Sequence, residues 1–66
     1  MLIMINGNAS EIPEGMSIQE LLPVKGVSGK GIAVALNDKV IHAEEWENTK
    51  LKQGDHVEFI RHVGGG

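Results

Sequence analysis

The residues of this chain with the clearest chemical potential are its last three. Gly64, Gly65 and Gly66 follow an apolar segment that ends at Val63. Three glycines reach about 10 Å beyond a folded body, and without Cβ atoms they can thread a channel that is too narrow for any other residue. Gly66 ends in an α-carboxylate, which is ionised at neutral pH because its reference pKa is about 3.5.

A carboxylate is a poor electrophile, because its negative charge repels nucleophiles. If the Gly66 carboxylate were joined to AMP, the resulting mixed anhydride would contain a good leaving group. A sulfur nucleophile could then attack the Gly66 carbonyl carbon. The alternative is a disordered end or a cloning artefact, since chain termini often carry no function.

The histidines do not have the spacing of a metal site. His42, His56 and His62 are far apart in the sequence, and the chain contains no cysteine that could assist them. On one extended strand, His56 and His62 would lie about 20 Å apart. We therefore predict that the chain holds no metal ion.

Two other motifs have structural explanations. The glycine-rich segment 26–31 is superficially similar to a phosphate loop, but Gly31 stands where that motif needs Ser or Thr, and the segment leads into a strand. Ser17 is explained as a helix cap rather than as a nucleophile. With no set of acid, base and nucleophile, we predict that the chain is not an enzyme and binds no cofactor stably.

The sequence predicts a series of short strands with one helix between them. Asn6-Gly7 is a hairpin turn signal, and Ser17 with Glu20 forms a capping box that opens a helix whose buried stripe is Ile18, Leu21 and Leu22. Pro23 would end or tighten that short helix. The predicted strands are Leu2–Ile5, Ala9–Ile12, Ile32–Leu36, Val40–Ile41 and His56–Val63, with a turn at Asn37-Asp38-Lys39 and a helical turn around Trp46 within Ala43–Asn48.

One helix can cover only one face of a sheet, which predicts an α+β domain with an open face. Alternation along the strands assigns one set of side chains to the core, namely Ile3, Ile5, Val57 and Phe59. It assigns a second set to the open face, namely Leu2, Met4, Ile60 and His62. Met4 and Ile60 are then either ordinary isolated apolar residues or a docking patch beside the glycine end.

Composition narrows the possible classes of protein. The chain has 66 residues, a net charge of −3 and no cysteine, so we expect one domain over 1–63, a flexible tail over 64–66, and no disulfide. An acidic balance argues against a nucleic-acid partner. The apolar runs are too short for a membrane span, and no signal peptide is visible. We therefore expect a cytoplasmic protein.

The whole chain resembles the ThiS family, the sulfur carriers of thiamine (thiazole) biosynthesis, which have the β-grasp fold of ubiquitin. The glycine end alone is shared by all ubiquitin-like carriers, but its combination with the Asn-Gly start and the chain length is more specific. The matching segments are Ile3-Met4-Ile5-Asn6-Gly7, Ser17-Ile18-Gln19-Glu20-Leu21-Leu22, Ile32-Ala33-Val34-Ala35-Leu36-Asn37, Val40-Ile41, Trp46, Leu51, Gly54-Asp55 and Val63-Gly64-Gly65-Gly66.

The resemblance implies a defined reaction at Gly66. A ThiF-type enzyme would adenylate the Gly66 carboxylate with ATP and magnesium. Sulfur from a donor such as a cysteine desulfurase would convert it to a thiocarboxylate, and a ThiG-type thiazole synthase would receive that sulfur. Gly64 and Gly65 would thread the partner's active site. The residues expected at the partner interface are Met4, Ile60, His62 and Val63.

Three other functions and one purely structural role remain open at this point. The small subunit of molybdopterin synthase shares the fold and tail chemistry, although its members are usually longer. A sulfur carrier of another pathway would have the same tail and different partners. A ubiquitin-like tag would instead be conjugated to lysines through Gly66. A purely structural module, finally, would tolerate the loss of Gly65 and Gly66.

Overall fold

The computed structural model describes residues 1–61. Within these residues, short strands form one mixed sheet, and one helix packs on one side of it. The five strands lie in the order β2-β1-β5-β3-β4; β1 and β5 are parallel, and the other neighbours are antiparallel. This arrangement confirms the α+β class. The elements are β1 (Leu2–Ile5), β2 (Asn8–Glu11), α1 (Ile18–Val24), β3 (Ile32–Leu36), β4 (Lys39–Ile41), a 3₁₀ turn (Ala43–Glu45) and β5 (His56–Arg61).

Two hairpins close through two-residue turns in which both residues have positive φ. Asn6 and Gly7 have φ of 49° and 82°, and Asn37 and Asp38 have φ of 50° and 70°. Such turns match the right-handed twist of the strands that they join. Because they close at once, pairing begins directly after them, and β2 and β4 each start one residue earlier than predicted.

The capping box predicted from Ser17 and Glu20 begins the helix. The Glu20 backbone N–H donates to Ser17 Oγ at 3.1 Å, and the Ser17 N–H donates to Glu20 Oε1 at 3.0 Å. Pro23 lies in the last turn, and the helix ends one residue later at Val24. Proline is tolerated here because the only intrahelical bond it removes lies at the frayed end of a short helix.

The core lies between α1 and one face of the sheet. Trp46 is almost fully buried, and its Nε1–H donates to the Ile41 carbonyl at 2.8 Å, so the indole has a partner for its polar atom. Gly29 packs against this ring, where an added Cβ would lie 3.3 Å from Trp46 Cζ3. The buried cluster consists of Ile3, Ile12, Ile18, Leu21, Leu22, Val34, Trp46, Leu51 and Val57.

The predicted assignment of sheet faces is confirmed, with one difference in degree. Ile3 and Val57 are buried, whereas Leu2 and Ile60 remain 40% and 48% exposed. Phe59, expected to supply much of the core, is only partly buried. The reason is that β1 pairs with β5 no further than Val57, so β1 gives Phe59 no flanking strand residue.

Replacing Ile3 with alanine is expected to lower the free energy of unfolding by about 2–5 kcal/mol, because it leaves a cavity in the core. The matched control is Ile60→Ala on the open face, which should cost less than about 1 kcal/mol. Urea denaturation followed by Trp46 fluorescence measures both. Equal losses for the two variants would show that the face assignment is wrong.

The capping box also predicts a pH dependence of stability. The pKa of Glu20 is lowered from 4.5, chiefly because its carboxylate accepts the Ser17 backbone N–H, and secondly through the Ser17 side chain. The stability that ionised Glu20 contributes is therefore fully present above the unfolded pKa and is lost as pH falls through the lower folded value. The difference in unfolding free energy between the wild type and Glu20→Gln should shrink as pH falls below 4.5. A difference that stays constant with pH would contradict this assignment.

Candidate functional site

The strand that leads to the glycine end is central in the sheet. On one side, β5 pairs with β3 from Leu36↔Val57 to Ile32↔Arg61. On the other side, it pairs with β1 only at Met4↔His56 and Ile5↔Val57. The segment that approaches the tail is therefore held firmly by β3 and only partly by the β1 side.

The predicted reactive residues lie beyond this strand. His62, Val63, Gly64, Gly65 and Gly66 are outside the described residues, so their proposed roles stay predictions. The structure describes the part of the domain that precedes them, which we call the platform. Its last described residue is Arg61, at the end of β5.

The open face carries an apolar patch at the tail end of β5. Ile60 lies opposite Ala33, and Val40 lies opposite Ala35 on the adjoining strand pair. Ile60 and Val40 are 48% and 55% exposed, whereas Ala35 is only 7% exposed. The two alanines form a low floor, in which Ala33 lies beside Ile60 and Ala35 lies between Val40 and Glu58. We call these four residues the apolar patch.

Met4 lies on the same face as Ile60 but not beside it. It pairs with His56, four residues before Ile60 on β5, which places the two about 13 Å apart along the strand. Met4 and Ile60 therefore lie at different positions along the open face, and the role of each at the partner interface stays a prediction. Parity along a strand predicts the face of a side chain, but not its level relative to a neighbouring strand.

A shallow hollow lies around Met4 at the other end of the open face. Its volume is about 440 Å³. Asp38 and Glu58 make the lining acidic, and it contains no lysine or arginine among the described residues. The lining is Met4, Gly7, Asn37, Asp38, His56, Val57 and Glu58. The hollow is thus lined mainly by polar residues, although the open face also carries apolar Met4 and Leu2 at this end.

Sequence reasoning missed two parts of this platform. The first is the apolar patch. Its signal in the sequence is the pair of small residues at positions 33 and 35 of an alternating strand, a pattern that indicates a low floor. The carboxamides of Asn6 and Asn37 both bond to β5, through Phe59 N–H and His56 N–H. No local sequence pattern predicts these bonds, because the partner of Asn6 lies 53 residues away and the partner of Asn37 lies 19 residues away.

Within residues 1–61, no group of three or more histidine, cysteine or acidic side chains is arranged to hold a metal ion. Over the same part of the chain, no helix has the length and apolar character needed to cross a membrane.

Comparison with known proteins shows to which family this chain belongs. The ThiS family model matches residues 3–66, which is nearly the whole chain and includes the glycine end. The chain belongs to the ThiS family. The sulfur carrier protein ThiS of Thermus thermophilus is 34% identical over 65 residues, which cover 98% of this chain and 100% of that protein.

A solved ThiS family structure confirms the β-grasp fold. The crystal structure of the thiamine biosynthesis protein ThiS from Geobacter metallireducens superposes with a TM-score of 0.89 at 35% identity, and the match covers 100% of both chains. A thiazole synthase of Paramagnetospirillum magneticum is 27% identical over all 66 residues, and the chain spans 20% of that protein's length. A segment similar to this whole chain therefore occurs within a much longer relative.

Proposed function

We propose that this chain is the sulfur carrier of thiamine biosynthesis and that its Gly66 carboxylate is the group that carries sulfur. The observation that supports this most strongly is the nearly full-length match to ThiS family members, among them a protein named as a sulfur carrier. The match reaches Gly66, so the reactive end is part of what the chain shares with the family.

The chemistry follows from the carboxylate. An oxygen of the Gly66 carboxylate attacks the α-phosphorus of ATP, pyrophosphate leaves, and an acyl adenylate forms. The terminal sulfur of a donor persulfide then attacks the acyl carbon and displaces AMP, which gives an acyl disulfide. A thiol reductant attacks the donor's sulfur in that disulfide, so that the S–S bond breaks, the Gly66 thiocarboxylate is released and the donor keeps a new disulfide. ATP and magnesium belong to the ThiF-type partner in this scheme, and Gly64 and Gly65 thread its active site because glycine fits where a Cβ would clash. The carrier therefore needs no catalytic residue of its own.

Three partners complete the cycle. A ThiF-type enzyme adenylates Gly66, a donor such as a cysteine desulfurase supplies sulfur, and a ThiG-type thiazole synthase receives it. The long thiazole synthase of Paramagnetospirillum magneticum supports the last of these, because a segment similar to this entire chain occurs within it. We place the cycle in the cytoplasm, without nucleic acid or membrane.

The apolar patch supplies the docking surface in this proposal. A partner that takes Gly66 into its active site must also cover the surface around the end of β5, where Ile60 and Val40 are exposed. Burying these side chains favours association, since apolar area is removed from water. We also expect His62 and Val63, which follow β5 in the sequence, to contact the partner, and Met4 to contact it from the same face of the sheet.

The adenylation step can be tested directly with purified chain, Mg-ATP and a ThiF-type enzyme. We expect pyrophosphate release and an AMP adduct on the C-terminal peptide, located at Gly66 by fragmentation in a mass spectrometer. The control lacks Gly65 and Gly66 and should give neither product. An adduct that survives this deletion, or wild-type chain that stays unmodified, would contradict the proposed function.

The docking surface can be tested with a charge on the apolar patch. Ile60→Lys should raise the KM for the carrier in adenylation by at least about tenfold, because the ammonium would have to lose water at an apolar contact. Met4→Lys should raise it as well. Val24→Lys is the matched control, since Val24 is 58% exposed at the end of α1 on the opposite side of the sheet. With circular dichroism unchanged in all variants, equal KM values for Ile60→Lys and Val24→Lys would exclude this surface.

A further inference from the structure

Two asparagines hold β5 in the same way at different levels. Asn6 and Asn37 each begin a two-residue hairpin turn, with φ of 49° and 50°. Each also uses its Oδ1 to accept a backbone N–H of β5 at 2.9 Å, from Phe59 for Asn6 and from His56 for Asn37. The Asn37 contact lies at the start of β5, and the Asn6 contact lies nearer to the tail.

Where β1 ends, the side chain of Asn6 accepts a hydrogen bond from β5 that no β1 residue accepts. The Asn6 backbone N–H donates to the Val57 carbonyl at 2.9 Å, after which the chain turns away into β2. The Phe59 N–H then points to a side of β5 that β1 no longer occupies, and the Asn6 carboxamide accepts it. Among the described residues, this is the contact from the β1 side that lies farthest along β5.

We propose that Asn6 is a positioning residue for the C-terminal carboxylate, because its bond to the Phe59 N–H sets the direction in which β5 leaves the sheet. This inference rests on the proposed function. Beyond Phe59, the described part of β5 pairs with β3 alone, through Ile60 and Arg61. Without the Asn6 bond, β5 can tilt away from the sheet about its β3 side.

A small tilt has a large effect on where the chain is delivered. An extended chain spans about 13 Å from Phe59 to position 63, so a tilt of about 10° would displace that position by about 2 Å. Reactive geometry tolerates less than this, because a misplacement of about 1 Å can lower a rate by about a hundredfold. A tilt about the β3 side keeps Ile60 paired with Ala33, so docking through the apolar patch would persist while delivery of Gly66 would fail.

The residue type at position 6 fits both requirements. Positive φ at the first turn position favours asparagine, aspartate or glycine. Glycine would form the turn but leave the Phe59 N–H without its acceptor, whereas aspartate would retain an acceptor. Asn6→Gly therefore removes the bond without straining the turn, and Asn6→Asp restores the acceptor.

Asn37→Gly is the matched control. It changes the same residue in the same kind of turn and removes an acceptor at the same distance from β5. It additionally removes the bond from Asn37 Nδ2 to Asp55 Oδ1 at 3.1 Å, so its cost in stability should be at least as large. Its β5 contact lies at His56, remote from the tail.

The experiment is steady-state adenylation of Gly66 by a ThiF-type enzyme with Mg-ATP, with the carrier concentration varied and all variants folded by circular dichroism. Asn6→Gly should lower kcat about tenfold or more while KM stays within about twofold. Asn37→Gly should keep both constants within about twofold, and Asn6→Asp should recover most of kcat. Hydrogen exchange of the Phe59 amide, followed by NMR, should accelerate in Asn6→Gly and return towards the wild-type rate in Asn6→Asp.

The outcomes separate this inference from the function on which it rests. If the wild type is adenylated and Asn6→Gly keeps its kcat although the Phe59 amide exchanges faster, Asn6 is structural only and the inference is overturned. An equal loss of kcat in Asn37→Gly overturns it too, because the effect would then follow stability. Failure of the wild type to be adenylated would overturn the proposed function, and the positioning role with it.

Discussion

The parallel pairing of β1 with β5 is the interaction on which the rest of the structure depends. It joins residues more than fifty positions apart through only two residue pairs, Met4↔His56 and Ile5↔Val57. The backbone adds bonds just outside those pairs, from Gly54 N–H to the Leu2 carbonyl at 2.7 Å and from Met4 N–H to the Asp55 carbonyl at 2.9 Å. Closing so long a loop costs entropy, which the burial of Ile3 and Val57 against α1 offsets. The pairing places the strand that leads to the reactive end in the middle of the sheet.

The two faces of the sheet differ in what covers them. One face supplies the core, with side chains from β1, β3 and β5 against the helix. The other face remains open and carries the apolar patch near the end of β5, where Ala33 and Ala35 form a low floor. In the proposed function, the chemistry occurs at the Gly66 carboxylate, on which other proteins act.

The sequence predicts the local features of this fold well, since they depend on neighbouring residues. The capping box at Ser17, the Asn6-Gly7 turn and the core positions Ile3 and Val57 all follow from short patterns. The burial of Phe59 and the level of Met4 do not, because they depend on where β1 stops alongside β5. The same is true of the Asn6 bond to Phe59, whose partners are distant in the chain. The reactivity proposed for Gly66, in contrast, comes from the sequence, because Gly66 lies outside the described residues.

The most direct test of the carrier function is the intact mass of the chain isolated, under neutral and non-reducing conditions, from the cells that make it. The account predicts a population heavier by one exchange of oxygen for sulfur, with the added mass located at Gly66. A chain whose Gly66 is unmodified in those cells, and remains so after incubation with ATP, a sulfur donor and the adenylating enzymes of the same cells, would contradict it.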